Sequence, residues 1–192
     1  MPAADPTTED QPESPGSDDP EPSQPGSQDR AAPISVDLIN HTDTPEPAPD
    51  GWLASHVCRA AELAGVKAAR LTLVIVNDDE MAQLHEQYTG VAGTTDVLTF
   101  DLLEDADEDA QAIEGDIVLC LDEAGRQAQQ RGHETHHELL LYAVHGLLHL
   151  LGEDDHDEAD YQRMHAREDE LLKQLGVGPL FDTHPKPPDA DA

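Results

Sequence analysis

The sequence predicts an α/β (α+β) domain: a mixed sheet of about four strands packed with helices. Three observations predict it. Eight of the 15 prolines fall in residues 1–33, three in 45–49 and four from Pro179 onward, so residues 51–178 are free of them. Within and just before that span the apolar pattern switches between period two and period 3.6, as it does when strands and helices share one layer structure. The order reads βαβαββααα over roughly 145 residues, long enough for a real core.

Taken in order, ISVDLIN (34–40) places Ile34, Val36 and Leu38 on one face and reads as a strand. A Pro-rich loop follows, then an Ala-rich helix over about 51–64. RLTLVIV (70–76) is continuously apolar apart from Arg70 and Thr72, as a buried strand is. Asn77 is a helix N-cap, and Asp78, Asp79 and Glu80 suit the first turn of a helix running to about Tyr88. TDVLTF (95–100) is the third strand, an acidic loop spans 101–114, and GDIVLC (115–120) is the fourth strand. Helices over about 121–130, 134–151 and 157–175 close the domain.

The boundaries follow: a disordered acidic, Pro-rich arm at 1–33, a folded domain at 34–178, and a flexible tail at 179–192. The arm holds eight acids and one base among Ser, Gln and Gly, and buries too little apolar surface to offset its ordering entropy. The first ten residues, MPAADPTTED, lack the basic and apolar parts of a signal peptide, and no apolar run is long enough for a membrane span. A cytoplasmic protein is expected. Cys58 and Cys120 sit in apolar segments without metal-type spacing and are expected to be reduced packing residues.

With 42 acids against 10 Lys and Arg, the formal net charge is -32. A broad basic grip on nucleic acid is thereby excluded, and any RNA function has to work through a small local site. Residues 51–178 alone hold 27 acids and 8 bases, a net of -19. Two readings stand: adaptation to high salt, which screens self-repulsion, or an acidic partner surface centred on the loop 101–109.

Chemistry concentrates in HGLLHLLGEDDH, His145 to His156. His145 and His149 are four apart, which on a helix brings two imidazoles to one face, where they can converge on an ion. Gly152 permits a sharp exit that swings Asp154, Asp155 or His156 back toward them. The plain alternative is a pair of hydrogen-bonded core histidines. Zinc peptidases of the H-E-x-x-H type carry a glutamate after the first histidine; Gly146 stands there, which removes the general base of that chemistry.

The same residues resemble the H-G-x-L-H-L-x-G-x-D-H signature of the YbeY family of metal-dependent bacterial endoribonucleases. QYTG and TTDVLTF within 87–100, GDIV at 115–118, and the helix with Met164 and Glu168 to Leu172 resemble further family segments. The resemblance implies the family's α/β fold, one Zn2+ ion, single-strand-specific cleavage of ribosomal RNA in maturation of the 16S 3' end and ribosome quality control, and partners on the small ribosomal subunit. It assigns His145, His149 and Asp155 as metal ligands, with His156 as the alternative third ligand, since the family histidine three residues after the glycine is Asp155 here. It also puts Thr89 where the family carries an arginine that contacts phosphate.

For proton transfer the candidates are His85, Asp154 and His156, and Arg126 or Arg131 are distant substitutes for the missing arginine. Plainer roles compete: a solvated helix face for His85, Arg126 and Arg131, turns or caps for Asp96 and Asp116, and a first-turn position for His136 and His137. The expected activity is a zinc-dependent endoribonuclease. The alternatives are a non-catalytic, metal-containing ribosome-assembly factor and a metal hydrolase of small substrates.

Overall fold

A computed structural model describes residues 34–103, 112–178 and 180. The expected arm at 1–33, the centre of the acidic loop and the tail apart from Leu180 lie outside the described residues. The element order is β1 (Ile34–Asn40), α1 (Trp52–Leu63), β2 (Ala68–Val76), α2 (Asp78–Thr89), β3 (Val97–Asp101), β4 (Ala112–Cys120), α3 (Leu121–Arg131), α4 (Thr135–Leu150) and α5 (Glu158–Gln174). Their order and type match the expectation, and the differences lie at the ends of strands.

The sheet runs β1-β2-β4-β3. β2 is paired in parallel with β1 and β4, while the edge strand β3 runs antiparallel to β4. β4 opens at Ala112, ahead of the expected Gly115, because Ala112 to Glu114 continue the parallel ladder opposite Ala68 to Arg70. β3 opens at Val97 because Asp96 turns the chain: its Oδ1 accepts from the Val97 amide (2.9 Å) and the Thr95 hydroxyl (3.0 Å). Asn77 caps α2 as expected, accepting from the Glu80 amide at 2.9 Å.

Alternation along the strands splits the core. Leu71, Leu73, Ile75, Ile117 and Leu119 face α1, α4 and α5, whereas Val76, Val118 and Cys120 face Met81 of α2. α4 is the central helix, with Leu139 to Val144 and Gly146 to Leu148 all buried. Full burial of each such leucine contributes about 1.5–3 kcal/mol, so this helix is fixed in place by its own apolar sequence. Its approach to the sheet depends on Gly146, where a Cβ would lie 2.8 Å from both Ile117 Cγ2 and Thr99 Oγ1. That close approach sets His145 and His149 beside the edge strand β3. Both cysteines are free thiols, Cys120 buried and Cys58 half-buried. No helix among the described residues is long and apolar enough to cross a membrane.

Candidate metal centre

His145 and His149 leave α4 on one face, with ring centroids 4.5 Å apart and their planes nearly perpendicular. Their Nε2 atoms are 3.0 Å apart. Each Nδ1 is already engaged: that of His145 with Glu168 Oε1 at 2.6 Å, and that of His149 with the Glu153 carbonyl at 3.0 Å. A carbonyl and an ionised carboxylate only accept, so both Nδ1 atoms carry hydrogen and both Nε2 atoms of the neutral rings present lone pairs. Two lone pairs aimed at one point repel unless a cation or a proton lies between them.

The third donor comes from the turn after α4. Gly152 holds φ +80°, a left-handed conformation that reverses the chain, and the Glu153 amide closes on the Leu148 carbonyl at 3.0 Å. Asp155 is thereby brought back, its Oδ2 4.0 Å from His145 Nε2. Donor atoms of His145, His149 and Asp155 all lie within 4.8 Å of one another. His156 behaves differently. Its side chain is 87% exposed and its Nδ1 lies 2.6 Å from Asp154 Oδ1, while the Asp154 carboxylate also accepts from the Asp155 and His156 amides.

Beneath the histidines sits a carboxylate that sequence reading placed only within the closing helix. Glu168 is fully buried and accepts from Nδ1 of His145 and, at 2.5 Å, from Nδ1 of His165. Burial alone would raise its pKa, but the two imidazoles more than offset this and hold it below the ordinary carboxylate range. For His145, burial pulls the pKa down and the hydrogen bond and charge of Glu168 push it up further, for a net rise in the metal-free chain. The signal was in the sequence: Met164, Glu168, Leu171 and Leu172 form one helical stripe, and an acid on a buried stripe needs a partner.

The donor set fits a zinc-type ion. Two imidazole nitrogens and a carboxylate oxygen make up a common ligand set for a catalytic site, and nitrogens on a tetrahedral ion stand about 3.3 Å apart, close to the 3.0 Å found here. Glu168, bonded to His145 Nδ1, stands where a carboxylate would orient that ring toward an ion.

Above the pair lies a cleft of about 650 Å³, lined among others by His85, Thr89, Asp96, His145, His149 and His156. His85 is brought into it, its Nδ1 2.8 Å from the Gly93 carbonyl. Asp154 does not line this cleft; it orders the turn instead. Thr89, whose hydroxyl donates to the His85 carbonyl at 2.7 Å, faces the cleft where the resemblance puts an arginine. Arg126 does not replace that arginine, because it grips Asp78 at 2.6 and 2.8 Å and Glu123 at 2.8 Å, bracing α3 against α2. Arg131 is closer to the site: with Asp96, Tyr142, His145, Asp155 and Glu168 it lines an adjoining cavity of about 310 Å³. Asp116 sits within β4 opposite Phe100 of β3, and His136 packs edge-on against Trp52.

The family model described as "Endoribonuclease YbeY" matches residues 42–176. The chain belongs to the YbeY family. Among curated members, the Endoribonuclease YbeY of Desulfitobacterium hafniense is 35% identical over 134 residues, covering 66% of this chain and 85% of that protein. That of Acidothermus cellulolyticus is 43% identical over 113 residues, 54% of this chain and 69% of its own length. The solution structure of TM1509 from Thermotoga maritima covers 80% of this chain and 99% of its own, with a TM-score of 0.50 and 23% identity, a likeness of fold. YbeY membership supports an endoribonuclease role, and the histidine cluster of α4 is a possible metal site within it.

Proposed function

We propose that the protein is a zinc-dependent, single-strand-specific endoribonuclease that acts in the cytoplasm on ribosomal RNA, in maturation of the 16S 3' end and in ribosome quality control, with the small ribosomal subunit or its assembly proteins as partners. The observation that carries this reading is the convergence of His145 Nε2, His149 Nε2 and Asp155 Oδ2, with both histidines lining an open cleft and Asp155 lining the cavity beside it. His145, His149 and Asp155 would hold the ion, with Glu168 and the Glu153 carbonyl fixing the tautomers of the two rings. When bound, zinc supplies a Lewis acid for a phosphoryl oxygen and lowers the pKa of water toward about 7. His85 and His156 line the same cleft and serve as proton carriers for the attacking and leaving oxygens.

The test is metal analysis beside cleavage of single-stranded and duplex RNA by the wild type and by His145→Ala, Asp155→Ala and His156→Ala. The expected result is one zinc per chain, cleavage of single strands only, and loss of both metal and cleavage in the first two variants while the fold is retained. His156→Ala keeps its metal. A zinc-loaded wild type that cuts no single-stranded RNA would overturn the reading.

One observation favours a second reading. Thr89 lines the cleft where family resemblance calls for a cation, and a site without that cation is suited to a metal-containing assembly factor that does not cut RNA. Tight zinc binding without cleavage, even in Thr89→Arg, is the outcome that would select it.

A further inference from the structure

Resting on the RNA-cleaving reading, we propose that the cavity bounded by α3, α4 and the residues just before β3 is a base-binding subsite, taking one nucleobase of the RNA strand beside the cleaved bond, with cytosine preferred.

Two cavities of about 310 Å³ each meet at Asp96, Arg131 and Tyr142. One is also lined by His145 and Asp155, so the subsite opens directly onto the metal ligands; the other extends past Thr94, Thr95 and Gln127. At their junction two buried donors lack a partner among the described residues, the Tyr142 hydroxyl and Arg131 Nε. Tyr142 as a whole is 4% exposed. A buried hydroxyl left unpaired is destabilising, and native proteins leave few such groups without a ligand or water to meet them.

The charges decide what kind of group fits. Arg131 Nη1 is 2.5 Å from Glu138 Oε1, and Glu138, fully buried, also takes His133 at 2.5 Å, so the arginine's charge is already neutralised. Asp96 and Glu123 add carboxylates to the walls. Phosphate is disfavoured in such surroundings, whereas a neutral heteroaromatic ring is not. Asp96 spends only Oδ1 on its turn, which leaves Oδ2 free to accept. The junction of the two cavities therefore sets one carboxylate acceptor beside two buried, unpaired donors, Arg131 Nε–H and Tyr142 O–H.

Among the bases, cytosine offers the complement: an amino donor at N4 next to acceptors at N3 and O2. Adenine supplies the amino group and one ring acceptor. Guanine can give N2–H to the carboxylate only by setting N1–H against one of the two donors, and uracil turns a carbonyl toward the carboxylate. The order expected is cytosine, then adenine, then the other two.

The experiment uses the full-length, zinc-loaded protein in two arms. Cut sites are mapped in a random-sequence single-stranded RNA, and CMP, AMP, GMP and UMP are titrated separately while amide shifts are followed. Cytidine is expected to exceed uridine roughly tenfold at one position flanking the cut, with CMP binding tighter than UMP by a similar factor. Tyr142→Phe should bring both ratios within about twofold of one without lowering the melting temperature, since the hydroxyl has no partner to lose. Arg131→Lys, which keeps a cation on Glu138 but removes Nε, should reduce the preference as well.

RNA cut with no base preference, a preference for guanine or uracil, or a preference that survives Tyr142→Phe would overturn the subsite and leave the nuclease reading standing; the hydroxyl would then meet only a trapped water. CMP selectivity that Tyr142→Phe abolishes, without any cleavage, would uphold the subsite and sink the nuclease reading. Neither cleavage nor CMP selectivity would remove both.

Discussion

Replacing Glu168 by glutamine isolates the support under the proposed metal ligands, because it keeps the shape of the side chain and removes its charge. The native carboxylate is fully buried and receives two Nδ1–H donors, from His145 at 2.6 Å and His165 at 2.5 Å. Glutamine offers one carbonyl oxygen and one NH2 group, so one of the two rings loses its charged acceptor and must either face N–H against N–H or move its proton to Nε2. A hydrogen bond to a charged partner contributes about 1.5–3 kcal/mol, and the loss of one such bond sets the expected fall in unfolding free energy at about 2–3 kcal/mol. Zinc affinity should drop roughly 10–100-fold, the usual consequence of removing a carboxylate that orients a ligating histidine. At 1.4 kcal/mol per tenfold, that range spans about 1.4–2.8 kcal/mol, consistent with the same single bond. Urea unfolding of the chelator-treated protein reads the first quantity, and competition against a chromophoric zinc chelator reads the second. Zinc affinity within twofold of the wild type would refute the role assigned to Glu168.

Gly146→Ala drives a methyl to within 2.8 Å of Ile117 and Thr99, and overpacking of this kind costs about 1–3 kcal/mol; a lower melting temperature in chelator, where zinc makes no contribution, checks it. Thr89→Arg puts a cation into the cleft, so binding of single-stranded RNA should tighten and the slope of log affinity against log salt should steepen by about 0.7, measured by titration from 50 to 200 mM KCl. The net of -19 on residues 51–178 predicts a melting temperature that rises between dilute buffer and molar KCl, as the screening length shrinks from about 30 Å to about 3 Å; an unchanged value removes the high-salt reading.

Much of the fold was legible because local signals agreed with the tertiary outcome. The Asn77 cap, the period-two strand at 34–40 and the proline-free span all point the same way in sequence and in structure. The early start of β4 at Ala112 was not legible, since Ala112 to Glu114 gain strand geometry only from the ladder that β2 offers them. The sheet order was equally hidden: no local pattern says that β4 lies between β2 and β3. At the site, the i, i+4 pair His145 and His149 could be read directly, because helical geometry alone brings them together. Asp155, three residues after Gly152 where the family histidine stands, could also be read as the first choice over His156, whereas Arg131 and Tyr142 come together with Asp96 only through tertiary packing.

Net charge bears on an RNA-cleaving site through what lines the cleft rather than through the total of -32. Asp96 and Asp101 line the large cleft, and among the described residues no lysine or arginine does; Asp155 adds a third carboxylate beside the histidine pair. On the zinc-bound reading, the positive charge that meets a phosphodiester there comes from the ion. One divalent cation against three carboxylates leaves a local deficit, so few counterions are released when a strand binds and the grip depends weakly on salt. A shallow dependence of this kind is what the high-salt reading of the surface expects. On that reading an arginine in place of Thr89 would contribute less than in dilute salt, because salt weakens every surface contact with phosphate, while the proposed metal ligation and hydrogen bonds to a base would survive.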